Sequence, residues 1–295
     1  MTVIDQAKEF VSEERHRIKL HDLVASETRE VLSLTTEEHF SIQGNWSAEE
    51  FANRLARYEE ATTNICSIEM LVAYWGSSTH QRTLTLPVKR ISEGLISESG
   101  LRAWLALRWY PVLLLLYSGG IAAVAAGRYD HLRALMQANI SDPDRSYGRI
   151  TIIRALTKAL SNTDEVFKKL PGHERHHVPR SEYLFKFFYP TLDNLLFLGP
   201  EYEAHFDRFE VLLGLEHAEQ YASDGHGRVW GPIGRFGWKY RQGEDSSPFH
   251  RVISEAESLG DSWPPVKAGL FRGSIDRFRE VSTEFSKTVV TLPWH

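Results

Sequence analysis

Apolar positions recur along most of this chain at spacings of three, four and seven, the period of an amphipathic helix. Residues 3–34 carry Ile4, Ala7, Val11, Leu20, Val24 and Val31 on such a period, with charged residues between them. No cap stands before this helix in the sequence. That predicts either a natural chain that continues upstream of Met1 or a helix that docks early. Ser47-Ala48-Glu49-Glu50 has the form of a capping box, in which the serine oxygen accepts a helix-start amide and Glu50 reaches back. Phe51, Leu55, Tyr58, Ile65, Ile68 and Val72 follow it, and Trp75-Gly76 ends the helix. Ile152, Ile153, Leu156, Ala159 and Leu160 share one face of a further helix, as do Tyr202, Phe206, Phe209 and Leu213. Period-two alternation is nearly absent. The short stretch Thr83 to Val88, "TLTLPV", is the strand candidate, and Pro87 interrupts it. The pattern predicts an all-α fold, an irregular helical array of antiparallel hairpins.

Residues 109–127, "WYPVLLLLYSGGIAAVAAG", run without a charge between Arg108 and Arg128. A membrane-spanning helix needs about 20 apolar residues. Here Gly119-Gly120 interrupts the run, and each glycine costs about 1 kcal/mol against alanine in a helix. The end of the run is rich in Ala and Gly, and a helical period resumes at once in "GRYDHLRALM". The expectation is a buried hairpin of two short helices, with no membrane involved. Gly120 lets the paired helices approach, and Gly127 makes the turn. The Gly120, Gly127, Tyr129 and Leu132 spacing resembles one tetratricopeptide repeat. Shifting by about 34 residues lays Asp130 on Asp164, Leu132 on Val166 and Met136 on Leu170, a degenerate second copy without the glycines.

Near residue 222 the pattern changes. "SDGHGRVWGPIGRFGW" is Gly- and aromatic-rich without a helical period. It predicts an irregular segment in which Trp230, Phe236 and Trp238 plug a core while glycines make the turns. "RQGEDSSP" reads as an exposed loop. Helices return over Pro248 to Leu259, from Pro264-Pro265, and over Ser274 to Thr288. The division is a helical array over 1–222 and, over 223–295, this segment and the C-terminal helices packed on the same core as one domain.

Composition narrows the function classes. The 295 residues are 42% hydrophobic and 25% charged, as in an ordinary globular chain. The net charge of −5 lacks the broad positive field that a phosphate backbone requires, so nucleic acid is not an expected partner. The single cysteine, Cys66, excludes an internal disulfide and reads as a buried thiol. With no secretory signal at Met1, the expectation is a reducing, cytoplasmic setting.

Taken together, "LRWYPVLLLLYSGGIAAVAAGRYDHLRALM", "VPRSEYLF", "HFDRFEVLLGLEHA" and "RVWGPIGRFGW" resemble a helical region of bacterial multidomain proteins. There the region accompanies an N-terminal module of sirtuin-like, Alba-like or nucleotide-binding type, often in phage-defence or stress-response systems. The resemblance implies a companion role in sensing, scaffolding or oligomerisation, without an enzymatic activity of its own.

The sharpest chemical motif is His173-Glu174-Arg175-His176-His177, which matches H-E-x-x-H. On a continuous helix, His173 and His177 would bind zinc and Glu174 would activate its water. Pro171-Gly172 and Val178-Pro179 flank it, and such breakers favour a polar loop. His205 and His217 lie at the edges of the Tyr202–Leu213 helix and read as hydrogen-bonded or exposed surface residues, with metal binding together with the 173–177 loop as the alternative. Gly231, Gly234 and Gly237 lack the lysine and hydroxyl residue of a phosphate loop, and Arg235 among them suits a salt bridge or an anion. The first expectation is therefore a non-enzymatic helical scaffold that binds a protein partner or self-associates, without catalytic residues or a cofactor. The alternative is a metal-dependent hydrolase with zinc on His173, Glu174 and His177.

Overall fold

The computed structural model describes residues 1–95, 99–142, 148–161, 163–223, 229–241, 243 and 246–294. Parts of "SDGHG" and "RQGEDSSP" lie outside the described residues. The N-terminal helices are α1 (Val3–Ser12), α2 (Arg17–Leu34), α3 (Ala48–Trp75), α4 (Gln81–Glu93), α5 (Arg102–Leu107), α6 (Tyr110–Ala125) and α7 (Tyr129–Met136). A two-stranded antiparallel ribbon follows, β1 (Asn139–Ser141) and β2 (Arg149–Thr151), with Ile140 opposite Ile150. Next come α8 (Ile152–Ala159), α9 (Asp164–Phe167), α10 (Pro179–Leu196) and α11 (Tyr202–Ser223). The chain closes with α12 (Phe236–Lys239), α13 (Pro248–Leu259), α14 (Pro264–Lys267) and α15 (Ile275–Val290). The fold is all-α, and one continuous core runs from Ala7 to Val289.

Several local expectations need correction. Residues 3–34 form two helices, because the chain extends at Glu13 before a short 3-10 turn. The first helix does have a cap. Thr2 and Asp5 exchange side-chain-to-backbone hydrogen bonds of 3.1 and 3.0 Å. Ser47 caps α3, but Glu50 turns to Arg54 at 2.6 Å instead of reaching back. The strand candidate at 83–88 lies inside α4 despite Pro87. Leu84, Val88 and Ile91 share the helical spacing that buries α4 against α2, α6 and α7, and tertiary packing overrides the short alternation. The actual strands are only three residues each, too short for a period to show.

The uncharged run is a single helix, α6, with every residue from Tyr110 to Val124 buried inside the fold. α6 packs along α3 and meets α4, α7, α10 and α11. The 102–125 stretch is long and apolar enough for a membrane by composition, yet its apolar window is 100% buried by protein. Gly127, at φ 66°, makes the turn into α7 as expected. The close approach to α7 is made by Gly119, where a Cβ would lie 2.8 Å from Leu135. Gly120 faces the Phe209 ring of α11 instead.

Two tyrosines one heptad apart on α6 donate to carboxylates on different helices. Tyr110 donates to Glu59 of α3 at 2.7 Å, and Tyr117 to Glu210 of α11 at 2.9 Å. The first turns of α10 supply the second donors, Tyr183 to Glu59 at 2.9 Å and Ser181 to Glu210 at 2.6 Å. α10 is thereby stapled across α3, α6 and α11.

Glu69 of α3 is the exception to this pairing. It is 1% exposed, its Oε1 has no hydrogen-bond partner among the described residues, and burial pushes its carboxyl well above the usual range. A buried polar group without a partner costs about 1–3 kcal/mol. Glu69→Met, which keeps the length and removes that cost, is expected to raise the unfolding free energy at pH 7 by a comparable amount, read as a higher urea midpoint. A lowered midpoint contradicts this account of the core.

Candidate functional site

α11 is buried on nearly every side, because its apolar residues are joined by four buried acids. Asp207, Glu210, Glu216 and Glu219 are each 3% exposed or less. An unpaired charge in such surroundings would be strongly destabilising, so each needs partners. Glu210 accepts from Tyr117, Ser181 and the Arg235 backbone N–H at 2.8 Å. Burial outweighs these donors and pushes its carboxyl up to about 7. Lys239 donates to Asp207 and, at 2.6 Å, to Glu203. Burial still raises the Asp207 carboxyl against the pull of that ammonium. Glu216 accepts from Gln137, Gln220 and the Phe271 N–H at 2.9, 3.0 and 2.9 Å. The last of these holds a turn in which Phe271 and Arg272 both adopt positive φ. Glu219 pairs with Arg272 and Arg277 at 2.8 and 3.2 Å.

The Gly-rich segment is pinned onto this helix. Gly231, Gly234 and Gly237 do not make turns by positive φ. They are glycines for space. A Cβ on Gly231 would stand well under 3.0 Å from the Gly214 carbonyl oxygen, one on Gly234 from the Glu210 carboxylate, and one on Gly237 from Trp294 and Ile233. Gly214 answers from α11, with the Pro232 oxygen 2.7 Å from its Cβ position. Phe236 is fully buried as expected, whereas Trp238 is half-buried, with its indole N–H on Glu182 at 2.9 Å, and Trp230 is 43% exposed. Arg235 bridges Glu182 and Glu203 at 3.2 and 3.1 Å and lies 3.5 Å over the Phe185 ring.

Between α11, α12 and α13 this cement leaves a cavity of about 490 Å³, lined by Pro200, Glu203, Asp207, Arg208, Trp238 and Lys239 among others. Three residues before Pro200, the chain turns sharply from α10 toward α11. Phe197 closes α10 in the left-handed region, φ 55° and ψ 46°, and its side chain is 94% exposed. Its N–H stays bonded to the Asp193 carbonyl at 2.9 Å, while the Asp193 carboxylate holds Gly199 N at 2.8 Å. Tyr189, 44% exposed, stands two turns earlier on α10 with its ring 5.2 Å from Tyr202. An aromatic on left-handed backbone and in water bears two costs at once, about 1–3 kcal/mol for the backbone alone.

The H-E-x-x-H residues form turns, not a helix. His173 is buried and sits edge-on to His176, ring centres 5.1 Å apart, with Tyr183 at 5.6 Å. Glu174 is exposed and accepts from the Gly172 N–H at 3.2 Å. His177 is exposed and stacks on Trp294 at 5.6 Å. His173, Glu174 and His177 therefore do not converge on one face. His205 lies 3.7 Å from Glu201, and His217 is buried with Nδ1 on the Trp230 carbonyl at 3.1 Å, so neither joins that loop. Among the described residues no group of three or more His, Cys, Asp or Glu is placed to hold a metal ion. Cys66 is buried, and burial pushes its thiol up to about 12.

Comparison of the chain with protein-family models, with curated proteins and with solved structures yields no match. The site rests on its own geometry. Sequence reasoning missed Phe197 and the acids of α11. The acids did leave a signal: Glu203, Asp207 and Glu210 recur at four and three, and Arg235 and Lys239 at four. Phe197 left none, because left-handed backbone at a phenylalanine has no local signature.

Proposed function

We propose that the chain is a non-enzymatic helical scaffold that docks a protein through the elbow between α10 and α11. The observation that carries this reading is Phe197, an aromatic held outside the core on backbone that resists it. Exposed aromatics on rigid supports are the usual anchors of protein interfaces. The acids of α11 support it from the other side, since hydrogen bonds and ion pairs within the fold already occupy them. The helical pattern and its tetratricopeptide-like hairpin fit such a module. So does the companion role, in sensing or oligomerisation within a bacterial defence or stress-response protein of the cytoplasm, that the sequence resemblance implies.

Sedimentation velocity over micromolar concentrations, on wild type and Phe197→Asp, tests the proposal. A second copy as the partner predicts wild-type association that Phe197→Asp abolishes. A different partner predicts a monomer and a protein captured from lysate by wild type but not by Phe197→Asp. A monomer whose captured proteins are unchanged by the substitution contradicts the reading. Because glycine accepts left-handed backbone, Phe197→Gly is expected to leave thermal stability unchanged or raise it by up to about 1 kcal/mol. A clear fall would mean that Phe197 serves the fold and not a partner.

A further inference from the structure

We propose that the apolar cavity enclosed by α6, α8, α11 and the Gly-rich segment binds a neutral single-ring aromatic molecule of phenol size. This goes beyond the docking elbow and does not depend on it. The cavity measures about 120 Å³. An apolar cavity of roughly 150 Å³ takes one benzene. This one therefore suits a single ring whose substituent points out through the opening.

The walls are aliphatic. Leu113 and Leu116 come from α6, Leu156 and Leu160 from α8, Leu213 from α11 and Ile233 from the Gly-rich segment. The five leucines are each 7% exposed or less. Tyr117 adds a ring whose hydroxyl is already held by Glu210. Neighbouring contacts hold these walls apart. The Pro232 carbonyl oxygen is pressed on Gly214, 2.7 Å from its Cβ position. Glu210 joins α6 to α10 through Tyr117 and Ser181. Collapse would break these contacts, so the lining keeps a void whose missing dispersion contacts a ligand supplies. Water among the leucines finds few polar partners, and poorly held water is readily displaced by an apolar group.

The polar lining selects against charge. Asp164 and Arg180 both border the cavity, paired with each other at 3.6 Å. Arg180 also donates to the Leu160 carbonyl at 2.9 Å and the Thr163 hydroxyl at 2.5 Å. The two charges balance, and the fold holds both. A charged ligand would lose its water against leucines without gaining a free counter-ion. Thr157 and Ser161 border the cavity where it is more exposed, and neither hydroxyl has a hydrogen-bond partner among the described residues. They suit a neutral hydroxyl on the ring. Trp230, 43% exposed, lines the cavity too, and its indole gains a packing partner when the cavity fills.

Calorimetric titration with toluene and phenol, with benzoate and benzylammonium as charged counterparts, tests the assignment. Saturable binding of at least one neutral probe at low millimolar concentration is expected, with the charged probes weaker by about tenfold or more. Thr157→Phe and Leu156→Phe, which fill the cavity from its opening and from its wall, should each weaken binding about tenfold or more while the protein stays folded. Methyl NMR on the wild-type protein locates the site without any substitution. Ring-current shifts should fall on Leu113, Leu116, Leu156, Leu160 and Leu213. No saturable binding of either neutral probe, or shifts that fall elsewhere, overturns the assignment. So does a folded filling variant that binds as wild type does. Benzoate binding as tightly as phenol overturns its neutral half.

Discussion

Gly231→Ala is expected to unfold the protein or to lower its stability by about 3 kcal/mol or more. The new methyl group would meet the Gly214 carbonyl oxygen, and further atoms of the α11 backbone lie just behind, at 3.1 and 3.4 Å. A side chain can swing away from an intruding methyl, but a helix backbone cannot without breaking its hydrogen bonds. Gly214 is buried against Pro232, Phe285 and Phe236, so the helix has no room to retreat. Gly94→Ala is the control. Its φ is −83°, and its Cβ position has nothing closer than 3.6 Å. Thermal melts should place Gly94→Ala within about 0.5 kcal/mol of wild type. Equal effects at the two positions would show that the 229–235 segment is not pressed on α11 as described.

Glu210→Ala is expected to cost about 3–5 kcal/mol, the cost of breaking a buried polar network by removing one member. It strands the Tyr117 hydroxyl, the Ser181 hydroxyl and the Arg235 N–H together in a buried site. It also removes the group that joins α6, α10, α11 and the Gly-rich segment. Denaturant titration should show a lower midpoint, with the loss concentrated in faster unfolding where the segment docks late. A loss below about 1 kcal/mol would mean the carboxylate is dispensable to the fold, and its pocket would then call for a chemical role.

The helical architecture was legible because burial repeats. Phe51 to Val72 and Ile152 to Leu160 write their buried faces at helical spacing, and proline and glycine mark the ends. What was hidden depends on partners distant in the chain. The glycines at 231, 234 and 237 look like turn residues until α11 and Trp294 are laid against them. Gly119 and Gly120 are adjacent, and only the packing tells which faces α7 and which faces α11. The buried acids look like a solvated helix face, since Tyr117 lies 93 residues from Glu210 and Gln137 lies 79 from Glu216. H-E-x-x-H was the reverse case. The local motif was visible, and the flanking prolines correctly foretold turns in place of a helix.

The carboxylates of α11 bind the fold together from within. The most direct test is the unfolding free energy of wild type and Glu210→Gln from pH 4 to pH 8. An acid whose native pKa is raised holds its proton in the folded state after the unfolded chain has released it, so its contribution to stability falls as pH rises. With the Glu210 carboxyl near 7 in the fold, wild type should lose about 2–3 kcal/mol relative to Glu210→Gln between roughly pH 4.5 and pH 7, then run parallel to it. A constant difference across that window would show that Glu210 titrates in the fold as it does in the unfolded chain, and the buried staple would be contradicted.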